Sequence, residues 1–266
     1  MILVDAHVHL HGCFSPERFL DAAASNLAAA ARNLGLPSST PGLLLFTHAA
    51  ADQAFGGLRA GLVGRWSLTA TRETVSMAAH RAGAPPLILT AGRQIATAEG
   101  LEVLALGALG PFADGAPVDS TIDAVQEAGG IPVIPWGFGK WWGHRGDMVR
   151  RLVADHSRFP LLFLGDNAGR PAIAPRPRLF AEGEHHGRAV LPGTDPLPLP
   201  GETDKVGRLI FRTDSELDAD RPFAELKTWL RHCETSPPAF GTYENAGVFL
   251  HRQIALRLRK RHGQAA

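Results

Sequence analysis

Ile2-Leu3-Val4-Asp5-Ala6-His7-Val8-His9-Leu10-His11 carries an apolar run, read as a first strand over Ile2–Val4, straight into three histidines at alternate positions. In extended backbone alternate side chains share a face, so His7 and His9 are expected to point the same way, with Asp5 on the same parity. Two imidazoles on one face are a ready pair of ligands for a divalent cation, and a carboxylate in register can orient one of them as an acceptor. The bland alternative is a half-buried strand with incidental histidines. Strict alternation of three weighs against it.

Outward from that strand, short apolar runs alternate with helical patterns, which predicts an α/β fold of parallel strands and crossover helices. Ser15-Pro16-Glu17 offers an N-cap with proline at the first helical position, and an alanine-rich helix runs to Leu34, with Gly35 as its stop. Further strands are expected at Gly42–Phe46, Leu87–Thr90, Leu101–Leu106, Ile131–Ile134, Pro160–Leu164 and Ala189–Leu191, with a hairpin between Arg65 and Ala79. Helices are expected from about Asp119 to Gly129, from Asp147 to His156, and at Pro222–His232 and Glu244–Arg261. The proline- and glycine-rich stretch from Gly165 to Pro200 reads mainly as long irregular connection, the kind of segment that often carries function. The whole of 1–266 is read as one domain.

The ends of the predicted strands hold further polar residues. His48 ends Leu43–Thr47, Gln94 follows Thr90–Arg93, Asp166 follows Leu162–Gly165, and Asp195 follows Val190–Thr194. In barrels of parallel strands the C-terminal ends converge on one face, where chemistry is housed. Each residue alone also has a plain reading as a helix cap.

These segments together resemble the PHP (polymerase and histidinol phosphatase) family of amidohydrolase-like metal hydrolases. Val4–His9 is similar to its opening His-x-His motif. Phe46-Thr47-His48 resembles a Thr-Asp-His segment that here lacks the Asp, and Gly92-Arg93-Gln94 resembles a Gly-x-Glu segment with glutamine in place of a bridging glutamate. Gly193-Thr194-Asp195-Pro196-Leu197 resembles the closing Gly-Ser-Asp-x-His motif without its histidine, and Pro135-Trp136 stands where a His-Pro pair is usual. The resemblance implies a distorted, TIM-like (β/α)7 barrel with the C-terminal helices, about 222–262, packed on it. It also implies a metal site reduced to one Zn or Mn ion, because glutamine cannot bridge two cations as a carboxylate does.

On this reading His7, His9, His48 and Asp195 are the candidate ligands. Asp195 also manages a proton, and Arg93 or Lys140 steadies developing negative charge. Trp136 and Trp141, in the run Trp136–Gly146, are a candidate platform for a flat ligand or else an aromatic plug, and Gln94 and Asp166 complete the ligand-binding set. The activity that the resemblance implies is metal-dependent hydrolysis of a small molecule, with a phosphoester as the candidate substrate class. Its rival is a catalytically silent ligand- or partner-binding protein.

Composition narrows the classes. The 266 residues are 45% hydrophobic, and 27 Lys+Arg against 26 Asp+Glu give a net charge of +1, which argues against nucleic acid or an anionic membrane surface as partner. No run reaches the roughly 18 apolar residues of a membrane span, and no basic stretch leads into an apolar one at the start. Cys13 and Cys233 are the two cysteines, too few for a disulfide framework or a Cys-rich zinc module, so a reducing cytoplasm is expected. The basic run His251–His262 reads as a helix whose Phe249, Ile254 and Leu258 face the core while its cations complement the C-terminal dipole. The sequence sets no oligomeric state.

Overall fold

The computed structural model describes residues 1–49, 54–58, 61–199, 201–214 and 218–261. In chain order the elements are β1 (Ile2–Val8), α1 (Pro16–Asn33), β2 (Gly42–Phe46), α2 (Ala54–Leu58), β3 (Leu62–Val63), β4 (Trp66–Ala70), β5 (Ser76–His80) and β6 (Leu87–Thr90). There follow β7 (Gly92–Ala96), β8 (Glu102–Leu106), α3 (Val118–Glu127), β9 (Ile131–Pro135), α4 (His144–Ala154), β10 (Phe163–Asn167), α5 (Arg178–His185) and β11 (Val190–Gly193). A 3-10 turn (Glu202–Lys205) leads to β12 (Leu209–Thr213), α6 (Pro222–Arg231), β13 (Phe240–Gly241) and α7 (Ala246–Arg261).

The expected TIM-like barrel is not what forms. The described strands pair as two mixed sheets, ordered β13-β12-β1-β2-β6-β5-β4-β3 and β11-β10-β9-β8-β7, and no ladder among them closes a barrel. Connection length accounts for the antiparallel pairing of β7 with β8 in the second sheet. A parallel neighbour needs a crossover of about a dozen residues, whereas β7 is joined to β8 through Thr97–Leu101 alone, so the chain turns back and pairs antiparallel. The expected hairpin between Arg65 and Ala79 is present as β4 and β5, and it extends the first sheet antiparallel from β6. Antiparallel β12 continues that sheet on the other side of β1. Parallel pairing survives between β1 and β2, β2 and β6, β9 and β10, and β10 and β11.

The helix predicted from Ser15-Pro16 forms as α1, with the Ser15 side chain accepting from the Arg18 amide at 3.5 Å. Phe19, Leu20, Ala23, Ala24, Leu27 and Ala31 recur at helical spacing and pack on Leu3, Leu44 and Phe46 of the first sheet. A second cluster, including Ile122, Val149, Leu152 and Phe180, joins α3, α4 and α5 to the second sheet. Between the sheets, Val4, Ala6, Leu43 and Leu45 meet Leu104, Val133 and Leu191.

Two glycines let the sheets approach at their edges. A Cβ on Gly193 of β11 would sit 2.5 Å from the His7 amide nitrogen in β1, and one on Gly92 of β7 would sit 2.2 Å from the Phe46 carbonyl oxygen of β2. Backbone bonds cross both seams: the Asp195 amide donates to His7 O at 2.7 Å, and the Gln94 amide donates to His48 O at 2.9 Å. No described helix is long and apolar enough to cross a membrane.

Candidate metal centre

Within β1 the pairing with β2 slips: Asp5 aligns with Leu44 but Val8 with Phe46, so β1 holds one residue more than its partner. Such a bulge re-aims the side chains on either side of it. Asp5 is consequently parted from the imidazoles it was expected to orient. Its buried carboxylate accepts from the His7 amide at 3.2 Å, the Thr194 amide at 2.8 Å and the Gly207 amide at 2.9 Å, and from the Thr194 hydroxyl. Asp5 thereby ties the bulge to the segments after β11 and before β12. Burial pushes its carboxyl up to about 7, against the downward pull of these four donors.

Past the bulge, His7 and His9 converge. Their Nε2 atoms are 2.9 Å apart, and each lies 3.5 Å from Asp195 Oδ1. Both histidines are buried, while the Asp195 side chain keeps 25% exposure toward solvent. Asp195 adopts φ 50°, a left-handed conformation that aspartate tolerates better than most residues, and this aims its carboxylate back at β1. Asn167, the last residue of β10, donates through Nδ2 to Asp195 Oδ2 at 3.1 Å and to the Trp136 carbonyl at 2.9 Å. One carboxylate oxygen is therefore occupied by an amide while the other faces the imidazoles. Gln94 hydrogen-bonds His7, and Thr47 Oγ1 lies 3.4 Å from His9 Nε2. The His11 Nε2 atom lies 2.8 Å from the Pro196 carbonyl oxygen, and its ring stacks on His9.

Burial pushes the His7 imidazole down to about 4, outweighing the opposite pull of Asp195; His9 and Lys140 add to the depression. For Asp195 burial favours the neutral form, but His7, His9 and Lys140 together hold the carboxyl well below the usual range. The centre thus keeps His7 unprotonated and the carboxylate ionised at neutral pH, the state in which these groups bind a cation. Metal–ligand bonds of about 2.0–2.2 Å at tetrahedral angles put neighbouring donors roughly 3.4 Å apart. The two nitrogen–oxygen spacings match that distance, and the nitrogen pair needs to open by about half an ångström.

The remaining candidates divide. Lys140 lines the same cavity, of about 380 Å³, with His7, Asp195 and Trp136, and its ammonium donates to Glu102. His48 stands apart: among the described residues the donor cluster comprises His7, His9 and Asp195. Thr47 faces His9, so its neighbour His48 projects the other way and its ring meets Phe46 at 5.1 Å. The same parity turns Arg93 away from the face on which Gln94 meets His7, and its guanidinium lies 3.8 Å from Asp114.

Asp166 is not available to a ligand. Arg170 grips it bidentately at 3.0 and 2.9 Å, and Tyr243 donates to it at 2.9 Å while stacking beneath the guanidinium. Trp141 is a core residue, 7% exposed, with its ring edge-on to Phe180 at 5.4 Å; of the two tryptophans proposed as a platform, Trp136 alone lines the cavity.

Three contributors went unrecognised in the sequence: Asn167, Glu102 and the C-terminal helix. Phe249, Arg252 and Gln253 of α7 close one side of the cavity. Arg252 is buried on Glu202 and Glu244, and Lys205 bridges the same two carboxylates at 2.9 and 3.0 Å. Ile254, expected in the core, is 51% exposed, and the Leu258 side chain lies outside the described residues. The adjacency of Asp166 and Asn167 was the one available signal for Asn167.

No protein-family model matches the chain, and no curated protein matches its sequence. Among solved structures it is similar to the crystal structure of PsfC from Pseudomonas syringae PB-5123. The identity is 16%, the TM-score 0.55, and the match covers 97% of this chain and 98% of that one. This is a likeness of fold over nearly the whole of both chains.

Proposed function

We propose that the protein is a hydrolase that holds one divalent cation, zinc or manganese, on His7, His9 and Asp195. One observation carries this reading. Donors from β1 and from the segment after β11, far apart in sequence, bring two Nε2 atoms and one carboxylate oxygen together at the wall of an open cavity. Three protein ligands with a further position facing solvent is the arrangement of catalytic rather than structural zinc. Gln94 at His7 fits a single cation, since a neutral amide orients the imidazole but does not bridge a second ion. The PHP-like motifs of the sequence point to the same reaction class.

A cation seated there supplies Lewis acidity toward a substrate oxygen and toward water. The chain's own groups do the rest. Asn167 fixes Asp195 so that Oδ1 remains directed at the imidazoles, Lys140 stands beside the centre paired with Glu102, and Trp136 with α7 bounds the substrate space. The substrate is a small molecule rather than a nucleic acid, in keeping with a cavity of about 380 Å³ and a near-neutral chain. Two free cysteines, Cys13 and Cys233, support a cytoplasmic setting.

Elemental analysis of protein purified without chelator or histidine tag tests the reading. About one zinc or manganese per chain is expected, lost in a His7→Ala/His9→Ala double variant that remains folded by circular dichroism. Metal-free wild-type protein that takes up no added zinc or manganese removes the proposal. Hydrolysis of an ester panel by the metal-loaded protein, absent from the double variant, tests the reaction class.

A further inference from the structure

The charges facing the cavity nearly cancel, and the way they do so bears on what the site accepts. Lys140 is a cation whose field reaches both His7 and Asp195, yet its ammonium is bonded to Glu102, which lines the same wall. Arg252 also faces the cavity, but it and Lys205 are matched one for one by Glu202 and Glu244. With both ion groups neutral overall, Asp195 is left as the unbalanced charge of the cavity wall among the described residues. A divalent cation on two neutral imidazoles and that carboxylate leaves a balance of +1.

Part of the cavity wall is apolar. Trp136, Phe138 and Phe249 line it, and the Phe138 ring meets Phe249 at 5.1 Å and Trp142 at 5.2 Å, both edge-on. Phe138 is 50% exposed and Trp142 66%, so flat apolar surface is presented to an incoming molecule at the rim.

We propose that the site selects a singly charged oxyanion carrying a flat apolar group, and that Glu102 sets this selection by cancelling Lys140. This rests on the cation reading above and narrows it: of the phosphoesters that the sequence suggested, a doubly charged monoester is the poorer match, because it would leave the cavity with a net negative charge. A carboxylate and a phosphonate or phosphate ester bearing one charge share the required chemistry.

Calorimetry on zinc-loaded protein at about pH 8, where phenylphosphonate carries close to two charges, separates these ligands. The probes are benzoate and methyl phenylphosphonate, each singly charged with a ring, phenylphosphonate as the dianion, and acetate as the ringless monoanion. At least one of the first two is expected to bind about tenfold or more tighter than both phenylphosphonate and acetate. The tighter of the pair tells a carboxylate from a phosphorus oxyanion. Glu102→Gln is expected to move the dianion-to-monoanion affinity ratio about tenfold toward the dianion, while Glu102→Asp keeps the wild-type order. Phe249→Ala is expected to bring the ringed monoanions to within about threefold of acetate. Preference for phenylphosphonate by wild-type protein, or an unchanged ratio in Glu102→Gln, overturns the inference while zinc uptake leaves the hydrolase reading standing. Failure to take up zinc overturns both.

Discussion

Asp195 and Asp166 both stand near the carboxyl ends of neighbouring strands in the same sheet, yet they have opposite fates. Asp166 is enclosed: a two-pronged guanidinium, a phenol, the Asn167 amide and burial to 5% exposure leave it no capacity for a further partner. Asp195 receives one amide hydrogen bond on Oδ2 and turns Oδ1 toward the two imidazoles, 3.5 Å from each Nε2. A strand end supplies a location. Whether a carboxylate there serves folding or chemistry depends on whether its neighbours can neutralise it.

The sharpest break of this contrast is Asp166→Ala. It leaves the Arg170 guanidinium, 6% exposed, without its carboxylate, and should lower unfolding free energy in urea by about 3–5 kcal/mol while bound-metal stoichiometry stays unchanged. A loss below about 1 kcal/mol would erase the distinction drawn here. Asp195→Asn should do the reverse. Asparagine tolerates the left-handed backbone, so stability should move by less than about 1 kcal/mol, whereas zinc affinity should fall about 100-fold in a competition titration with a chromogenic chelator.

The smallest effect concerns Glu184, which lies on the Asp166 side of the molecule beside Ser236. Arg176 grips it bidentately at 2.7 and 2.6 Å and holds its carboxyl below the ordinary value of 4.5, against burial and helped by Ser236. A depressed folded-state pKa means stabilisation that is present above the unfolded-state value and is lost as pH falls through the folded one. Glu184→Gln should therefore cost about 0.5–1 kcal/mol near neutral pH, with the two unfolding curves drawing together in acid below about pH 4. A gap that widened on acidification would reverse the assigned sign.

Much of the element list was legible because it rests on local physics. Ser15-Pro16 starts a helix wherever the chain goes, and runs such as Leu43–Phe46 or Ile131–Ile134 are apolar enough to be buried on both faces. Several elements escaped, among them β12, α2, β3 and β13, and two others show the reason. Gly92–Ala96 is too polar to read as a buried strand and pairs because a five-residue connection folds β8 back on it. Arg178–His185 sits among prolines and glycines that suggested a loop, yet Leu179, Phe180 and Gly183 form a buried stripe once the second sheet is there to receive them.

For the centre, the sequence by itself offered the donors, with His48 besides: a histidine pair at alternate positions at the end of the first strand, and an aspartate after a glycine-threonine pair near the last parallel one. Alternation in a strand has a period of two, so a single bulge exchanges which residues share a face, and no local pattern announces it. Tertiary structure alone decided that Asp5 ties backbone rather than orienting an imidazole. It also decided that Asn167 rather than Asp166 serves the centre, that His48 and Arg93 face away, and that α7 closes the cavity. Each of these outcomes turns on which partner lies across a gap between segments distant in the chain, and that information exists only once the two sheets have met.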